Sequence, residues 1–234
     1  METNYWTKIT WSSKYVIVAT HWAWDDINTD ILALMLSEKL SASAVINKTY
    51  FKHSNSRAKT YPDFVEDFNR LPFIAWSHEY DWSKKKSPMK DFYDDLEFLA
   101  SWAKKLSDNG KAVIIHLHWM RDNRSEWIDI WIWMNFKWRE ISLGSKLNLI
   151  IWKQTLGYDV ALKMRDEFDL CLKSFWLISN IWENFSAQYK CFWIQYSKVI
   201  DNDIFQLEIS RELRRDNNLR AISEMIGKVI SDIF

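Results

Sequence analysis

The chain has 234 residues and its 31 basic and 31 acidic side chains balance, which points to neither a nucleic-acid partner nor a membrane surface. That length suits one domain, predicted to span residues 1–234. No apolar run reaches the roughly 18 residues of a spanning helix, the start of the chain lacks the basic and apolar regions of a signal peptide, and Cys171 and Cys191 make no disulfide framework, so the expectation is a cytoplasmic protein with reduced thiols.

In chain order, residues 15–20 form an apolar, β-branched run, the pattern of a buried central strand, and residues 29–40 are strong helix formers. Residues 43–47 read as a second strand, and residues 49–61 are polar and irregular. Pro62 is placed to open a helix reaching about Phe68. After the basic loop around Lys84, an amphipathic helix is predicted over 89–108, closed by Asn109 and Gly110. Residues 111–118 are the second strongly buried strand, and residues 128–133 alternate with a strand's period of two. A short apolar run at 147–151 is left unassigned, a long helix covers 157–175, and strands follow at 177–181 and 205–209 before a closing helix at 218–234. Strands alternating with helices predict a three-layer α/β/α architecture around a mixed, mostly parallel sheet.

Sixteen Trp and only four Gly are unusual, because about 7% Gly would give roughly 16 glycines. Trp22, Trp24, Trp119, Trp138 and Trp176 fall where elements should end, positions that favour a residue without a side chain. One reading is that most of these tryptophans stand where glycines would, as when a gene that reads UGA as glycine is translated with UGA as tryptophan; Trp102, inside a helical pattern, fits it least.

The polar residues at strand ends carry the chemistry. His21 ends the first buried run and is followed by Asp25 and Asp26; His118 ends the second. In a parallel sheet both imidazoles emerge at one edge, where neighbouring strands lie about 5 Å apart, and open α/β sheets place their sites at such edges. Glu208 interrupts the last apolar strand, a costly place for an unpaired carboxylate. Asn69 and Arg70 precede Leu71 and Pro72, and Arg70 offers a planar fork for a carboxylate.

Four blocks, Val-Ile-Val-Ala-Thr-His21, Asp-Phe-Asn69-Arg70, Ile-Ile-His-Leu-His118 and Phe-Gln-Leu-Glu208-Ile, resemble in order those of the N-formylglutamate amidohydrolases. The stretch from His21 to Thr29 is also similar to the metal motif of phage-type poly-γ-glutamate hydrolases once Trp is read as Gly. Both families are zinc carboxypeptidase-like in fold. The resemblance implies a zinc amidohydrolase in which His21, Asp26 and His118 hold Zn2+ and leave a position for water. It implies Glu208 as general base, and Asn69 and Arg70 as the binders of a substrate carboxylate, with Arg57 a further candidate. Asp25 competes with Asp26 as the ligand; the resemblance to the poly-γ-glutamate hydrolases favours Asp26, because their motif has its carboxylate five residues after the His, where Asp26 stands relative to His21. His116 occupies a position where the family more often has Asp and is left out of the ligand set.

Two other classes fit some of the same residues. A calcium-dependent hydrolase of the nucleoside hydrolase type would use Asp25, Asp26 and Asp30 as oxygen ligands, but would make little use of His118. A non-enzymatic, Trp-rich carbohydrate-binding protein would need its indoles exposed in a line.

Overall fold

The computed structural model describes residues 5–21, 25–72, 74, 79–120, 128–131, 156–173, 179–181, 198–199, 201–211 and 213–234, with backbone alone at 119, 120, 128–131, 158, 180 and 181. Among these the chain builds a seven-stranded sheet in the order β1-β3-β2-β4-β7-β5-β6. The strands are β1 (Trp6–Ile9), β2 (Tyr15–Ala19), β3 (Ser43–Asn47), β4 (Val113–Met120), β5 (Ile128–Trp131), β6 (Ser179–Ile181) and β7 (Asp203–Ser210). The central four, β3, β2, β4 and β7, are mutually parallel. β1 joins one side antiparallel to β3. β5 joins the other side antiparallel to β7 and pairs in parallel with β6.

The expected mixed α/β sheet is therefore present, and helices cover both of its faces. One face packs on α1 (Thr29–Lys39), α3 (Tyr158–Leu172) and α4 (Leu219–Ile233), burying Ile17, Ile115, Leu207 and Ile209 against Leu36, Phe168 and Ile226. The other packs on α2 (Ser87–Lys105), whose Met89, Phe92, Tyr93, Leu96, Leu99, Ala100 and Ala103 recur at helical spacing and bury Val16, Val18, Ile114 and Ile204. β2 is buried along its whole length, as a strand covered on both faces must be.

Three readings change. β1 carries no strong periodic signal and was not expected; it is held by its pairing from Trp6 opposite Asn47 to Ile9 opposite Ala44. The helix expected after Pro62 is a single 3-10 turn, Pro62–Phe64, because Val65 turns extended and forms a bridge with Phe51. The basic loop is shorter than expected, since α2 begins at Ser87 with Pro88 in its first turn. The apolar run at 147–151 lies outside the described residues, as do Cys191 and the backbone of Trp22, Trp24, Trp138 and Trp176. Trp6 is a packed indole whose Nε1 donates to Asp95 at 2.9 Å, whereas Trp11 and Trp102 are exposed. No helix among the described residues is long and apolar enough to cross a membrane.

Candidate metal centre

Parallel order brings the C-terminal ends of β2, β4 and β7 together. The register pairs Val18 with His116 and His118 with Glu208, so His118 and Glu208 lie side by side. With a period of two, His116, His118 and Glu208 point to the face covered by α2, while Leu117, Leu207 and Ile209 fill the opposite core. This alternation explains how Glu208 sits inside an apolar strand: its neighbours in sequence face the other layer.

His21 follows β2 with only Thr20 between them, and Asp26 lies in the turn that leads into α1. Two unusual features hold that turn. Asn28 adopts the left-handed region at φ 63°, a conformation Asn tolerates better than most residues, and its Nδ2 donates to the Arg214 carbonyl at 2.8 Å. Arg214, 1% exposed, donates from Nε to the Ile209 carbonyl at 3.0 Å and from Nη1 to the Ile27 carbonyl. One buried guanidinium thus ties the Asp26 turn to the end of β7.

His21, Asp26 and His118 converge. Each offers one ligand atom, and the three atoms lie within 4.8 Å of one another. His21 Nδ1 is 2.9 Å and His118 Nδ1 3.6 Å from the same Asp26 oxygen, Oδ2. The two rings meet edge to face at 4.7 Å between centroids. Their far nitrogens are also engaged: His21 Nε2 with Asp67 Oδ1 at 3.3 Å, and His118 Nε2 with Thr20 Oγ1 at 3.3 Å. Imidazoles that ligate metals are commonly oriented by such outer partners.

The electrostatics follow from burial and pairing. Burial opposes charge on His21, yet the carboxylates of Asp26 and Asp67 outweigh it and raise its pKa to about 9. Burial likewise disfavours the Asp26 carboxylate, but His21 and His118 hold it well below the usual range. His118 goes the other way, lowered to about 4 by burial despite the Asp26 carboxylate 3.6 Å away. Glu208 is raised to about 8, by burial first and then by the Asp26 charge, against a 2.6 Å hydrogen bond from Gln206 Nε2. His116, fully buried and stacked 5.7 Å from His118, is held neutral mainly by burial.

The donor set fits a zinc ion. Two imidazoles and one carboxylate are ligands that zinc takes, whereas calcium prefers oxygen alone. Asp26 Oδ1 is buried with no hydrogen-bond partner among the described residues and with Lys52 Nζ 3.8 Å away, an acceptor capacity suited to a cation. Asp25 is used differently: its Oδ2 accepts the Lys52 N–H at 2.7 Å and its Oδ1 accepts from Asn55 Nδ2 at 2.9 Å.

The expected carboxylate binders sit at the rim. The Asn69 N–H donates to Asp67 Oδ1 at 2.9 Å, and Arg70 Nε lies 3.6 Å from Asp67 Oδ2 on a largely exposed side chain. Asp67 thereby links the Asn69–Arg70 pair to His21. Its segment is pinned on both sides: Glu66 accepts from Lys85 and from the Lys86 N–H, and Phe68 stacks on Tyr50 while its carbonyl accepts from the Tyr93 hydroxyl. Arg57 lies on an exposed turn, with its N–H donating to Asn55 Oδ1. Asp67, Lys52 and Arg214 were not singled out from the sequence. Asp67 could have been, since it stands inside the block that ends in Arg70.

Comparison with known proteins agrees with this architecture. No family model matches the chain, and no curated protein does. Solved structures do match along nearly all of it. A gene product of Agrobacterium tumefaciens aligns over 99% of this chain and 96% of its own, with 14% identity and a TM-score of 0.58. A bacteriophage poly-γ-glutamate hydrolase aligns over 99% and 91%, with 12% identity and a TM-score of 0.53. N-formylglutamate amidohydrolase from Ralstonia eutropha aligns over 99% and 97%, with 12% identity and a TM-score of 0.53. The chain shares the α/β fold of these structures, as the sequence blocks implied.

Proposed function

We propose that this protein is a zinc-dependent amidohydrolase that cleaves the amide bond of an N-acyl amino acid or a glutamyl substrate. The observation that carries the reading is the convergence of both Nδ1 atoms on one Asp26 oxygen, beside the strand that carries Glu208 and in a fold shared with proteins named as hydrolases of amides.

His21, Asp26 and His118 are the residues that would hold the ion, through the nitrogens and the oxygen that already face one another. Bound zinc supplies a water acidified to a pKa of about 7 and an electrophile for the amide carbonyl. Glu208, beside His118 in the register, takes the proton from the attacking water and returns it to the departing amine. Its burial suits that work, because a carboxyl pushed up to about 8 both accepts and gives back a proton near neutral pH. Arg70 and Asn69 receive the substrate's carboxylate at the rim and so fix the amide's position; Arg57 is a further candidate for the same task. Asp67 keeps His21 oriented with Nδ1 inward.

The test is direct. Purified protein incubated with N-formylglutamate and with γ-glutamyl amides should release free amine, lose that activity on dialysis against a chelator, and recover it with one zinc per chain. Amine release indifferent to chelation, or a protein that binds no zinc, would refute the reading.

A further inference from the structure

Asp25 and Asp26 are neighbours with opposite tasks. Asp26 turns inward to the imidazoles, while both oxygens of Asp25 hold the segment after β3, through the Lys52 N–H and the Asn55 side chain. That segment is otherwise anchored by Asn47, whose Oδ1 accepts the Thr49 and Tyr50 N–H groups and whose Nδ2 donates to the Thr20 and Tyr50 carbonyls. Asn47 thus fixes the root of the segment to the end of β2, and Asp25 fixes its tip. The result is that Lys52 Nζ stands 3.8 Å from Asp26 Oδ1, on the side of the carboxylate that the imidazoles leave open. The Lys52 charge bears on His21, Asp26, Asp67, His118 and Glu208 alike. Its side chain is about one-third exposed, so the ammonium borders both the buried cluster and the solvent from which a substrate arrives.

We propose that Asp25 is a positioning residue that aims Lys52 at the centre, where Lys52 is a catalytic residue facing the negative charge that develops on the attacked carbonyl oxygen. This rests on the zinc amidohydrolase reading and adds to it a second electrophile from the chain itself. When water adds to the amide, the carbonyl π pair moves onto oxygen. A fixed cation in a partly dry site stabilises that oxygen more than it stabilises the neutral ground-state carbonyl. When the C–N bond breaks, the same pair returns to rebuild the carbonyl, and the amine leaves with the proton carried by Glu208. Lys52 keeps its proton throughout. The ammonium also has a cost: a cation next to Asp26 repels a divalent ion on the same carboxylate.

These two effects have opposite signs, which makes the proposal testable. Zinc affinity, kcat and KM would be measured for the wild type and for D25N, K52M, K52R and D26N, with amide hydrogen exchange followed on the metal-free wild type and D25N. K52M should bind zinc about tenfold more tightly, since one repelling charge is gone, while kcat falls by roughly 10²-fold or more with KM little changed. K52R should restore much of both. D25N should keep one zinc per chain, exchange the Lys52 amide at least about tenfold faster as its acceptor weakens, and lose kcat in the direction of K52M; D26N should lose the zinc. Loss of zinc by D25N would make Asp25 a ligand and overturn the proposal, as would K52M with unchanged affinity and turnover. A wild type that binds no zinc would instead sink the hydrolase reading and the role of Lys52 with it. The exchange rate at Lys52 would then still decide whether Asp25 holds the segment.

Discussion

The strongest quantitative consequence of the site is a pH-dependent zinc affinity steeper than a free histidine would give. His21 is held as an imidazolium up to about pH 9 by Asp26 and Asp67, and it must lose that proton before Nδ1 can ligate. Two pH units below that value only about one molecule in a hundred carries a neutral ring, so apparent affinity at pH 7 should be about 100-fold below its alkaline limit and rise about tenfold per unit. His118 adds no slope in this range, because its pKa of about 4 leaves it neutral already. Glu208, pushed up to about 8, can release a further proton when a cation binds beside it. Glu208→Gln removes that complication. The assay is competition with a chromogenic chelator from pH 6 to pH 9 on the Glu208→Gln protein, with proton release counted by calorimetry in buffers of different ionisation enthalpy. About one proton per zinc is expected from pH 6 to pH 8, falling to about one half at pH 9. An affinity that levels off above pH 7, the behaviour of an ordinary histidine near 6.5, would refute the claim that the two carboxylates hold His21 charged.

Other outcomes follow from the same geometry. Glu208→Gln should retain zinc but lower kcat by about 10²- to 10⁴-fold, read by steady-state amine release. Arg70→Ala should raise KM by about 2 kcal/mol, some thirtyfold, with a smaller effect on kcat, because a charged hydrogen bond to the substrate is lost rather than a step in the reaction. The metal-free protein should lose stability as pH rises. His21 moves from 6.5 unfolded to about 9 folded, so its contribution, about 3 kcal/mol, is complete below pH 6.5 and disappears by pH 9. Thermal melts of His21→Asn should show a flatter alkaline limb; an unchanged limb would assign the loss to other groups.

Much of this was legible in the chain, for reasons that differ by element. β2 and the first half of β4 are apolar runs rich in β-branched residues, and a histidine stands within two residues of each strand's C-terminal end, so a parallel sheet was enough to predict that His21 and His118 share an edge. α2 was legible from its spacing of apolar residues. The failures are tertiary. Trp6–Ile9 becomes a strand only because β3 offers an open edge. The segment after Pro62 becomes extended because Phe51 offers a bridge to Val65, overriding the helix that the proline could have begun. The choice between Asp25 and Asp26 also needed the fold, since adjacent side chains in a turn diverge and only the partners, Lys52 and Asn55 for one and His21 for the other, tell them apart. Arg214 gave no signal at all, because a buried guanidinium that donates to backbone carbonyls looks in sequence like any other charge.

The site's parts lie far apart along the chain, and this couples metal binding to folding. His21 and Asp26 belong to the first strand-to-helix turn, Asp67 to a loop held by α2, His118 to β4 and Glu208 to β7. Three of these groups are buried and electrostatically coupled: an Asp26 carboxylate with two imidazoles, one of them charged, is tolerable only when all are present at close range. Removing one leaves the others as buried, uncompensated polar groups, so a ligand variant costs stability as well as affinity. The sheet order β2-β4-β7 is what makes the cluster possible, because it sets next to one another strands that the chain lays down roughly ninety residues apart. An ion that bridges β2 and β4 therefore binds the folded chain alone, and at a hundredfold excess over its dissociation constant it adds about 2.7 kcal/mol to the stability of the whole sheet.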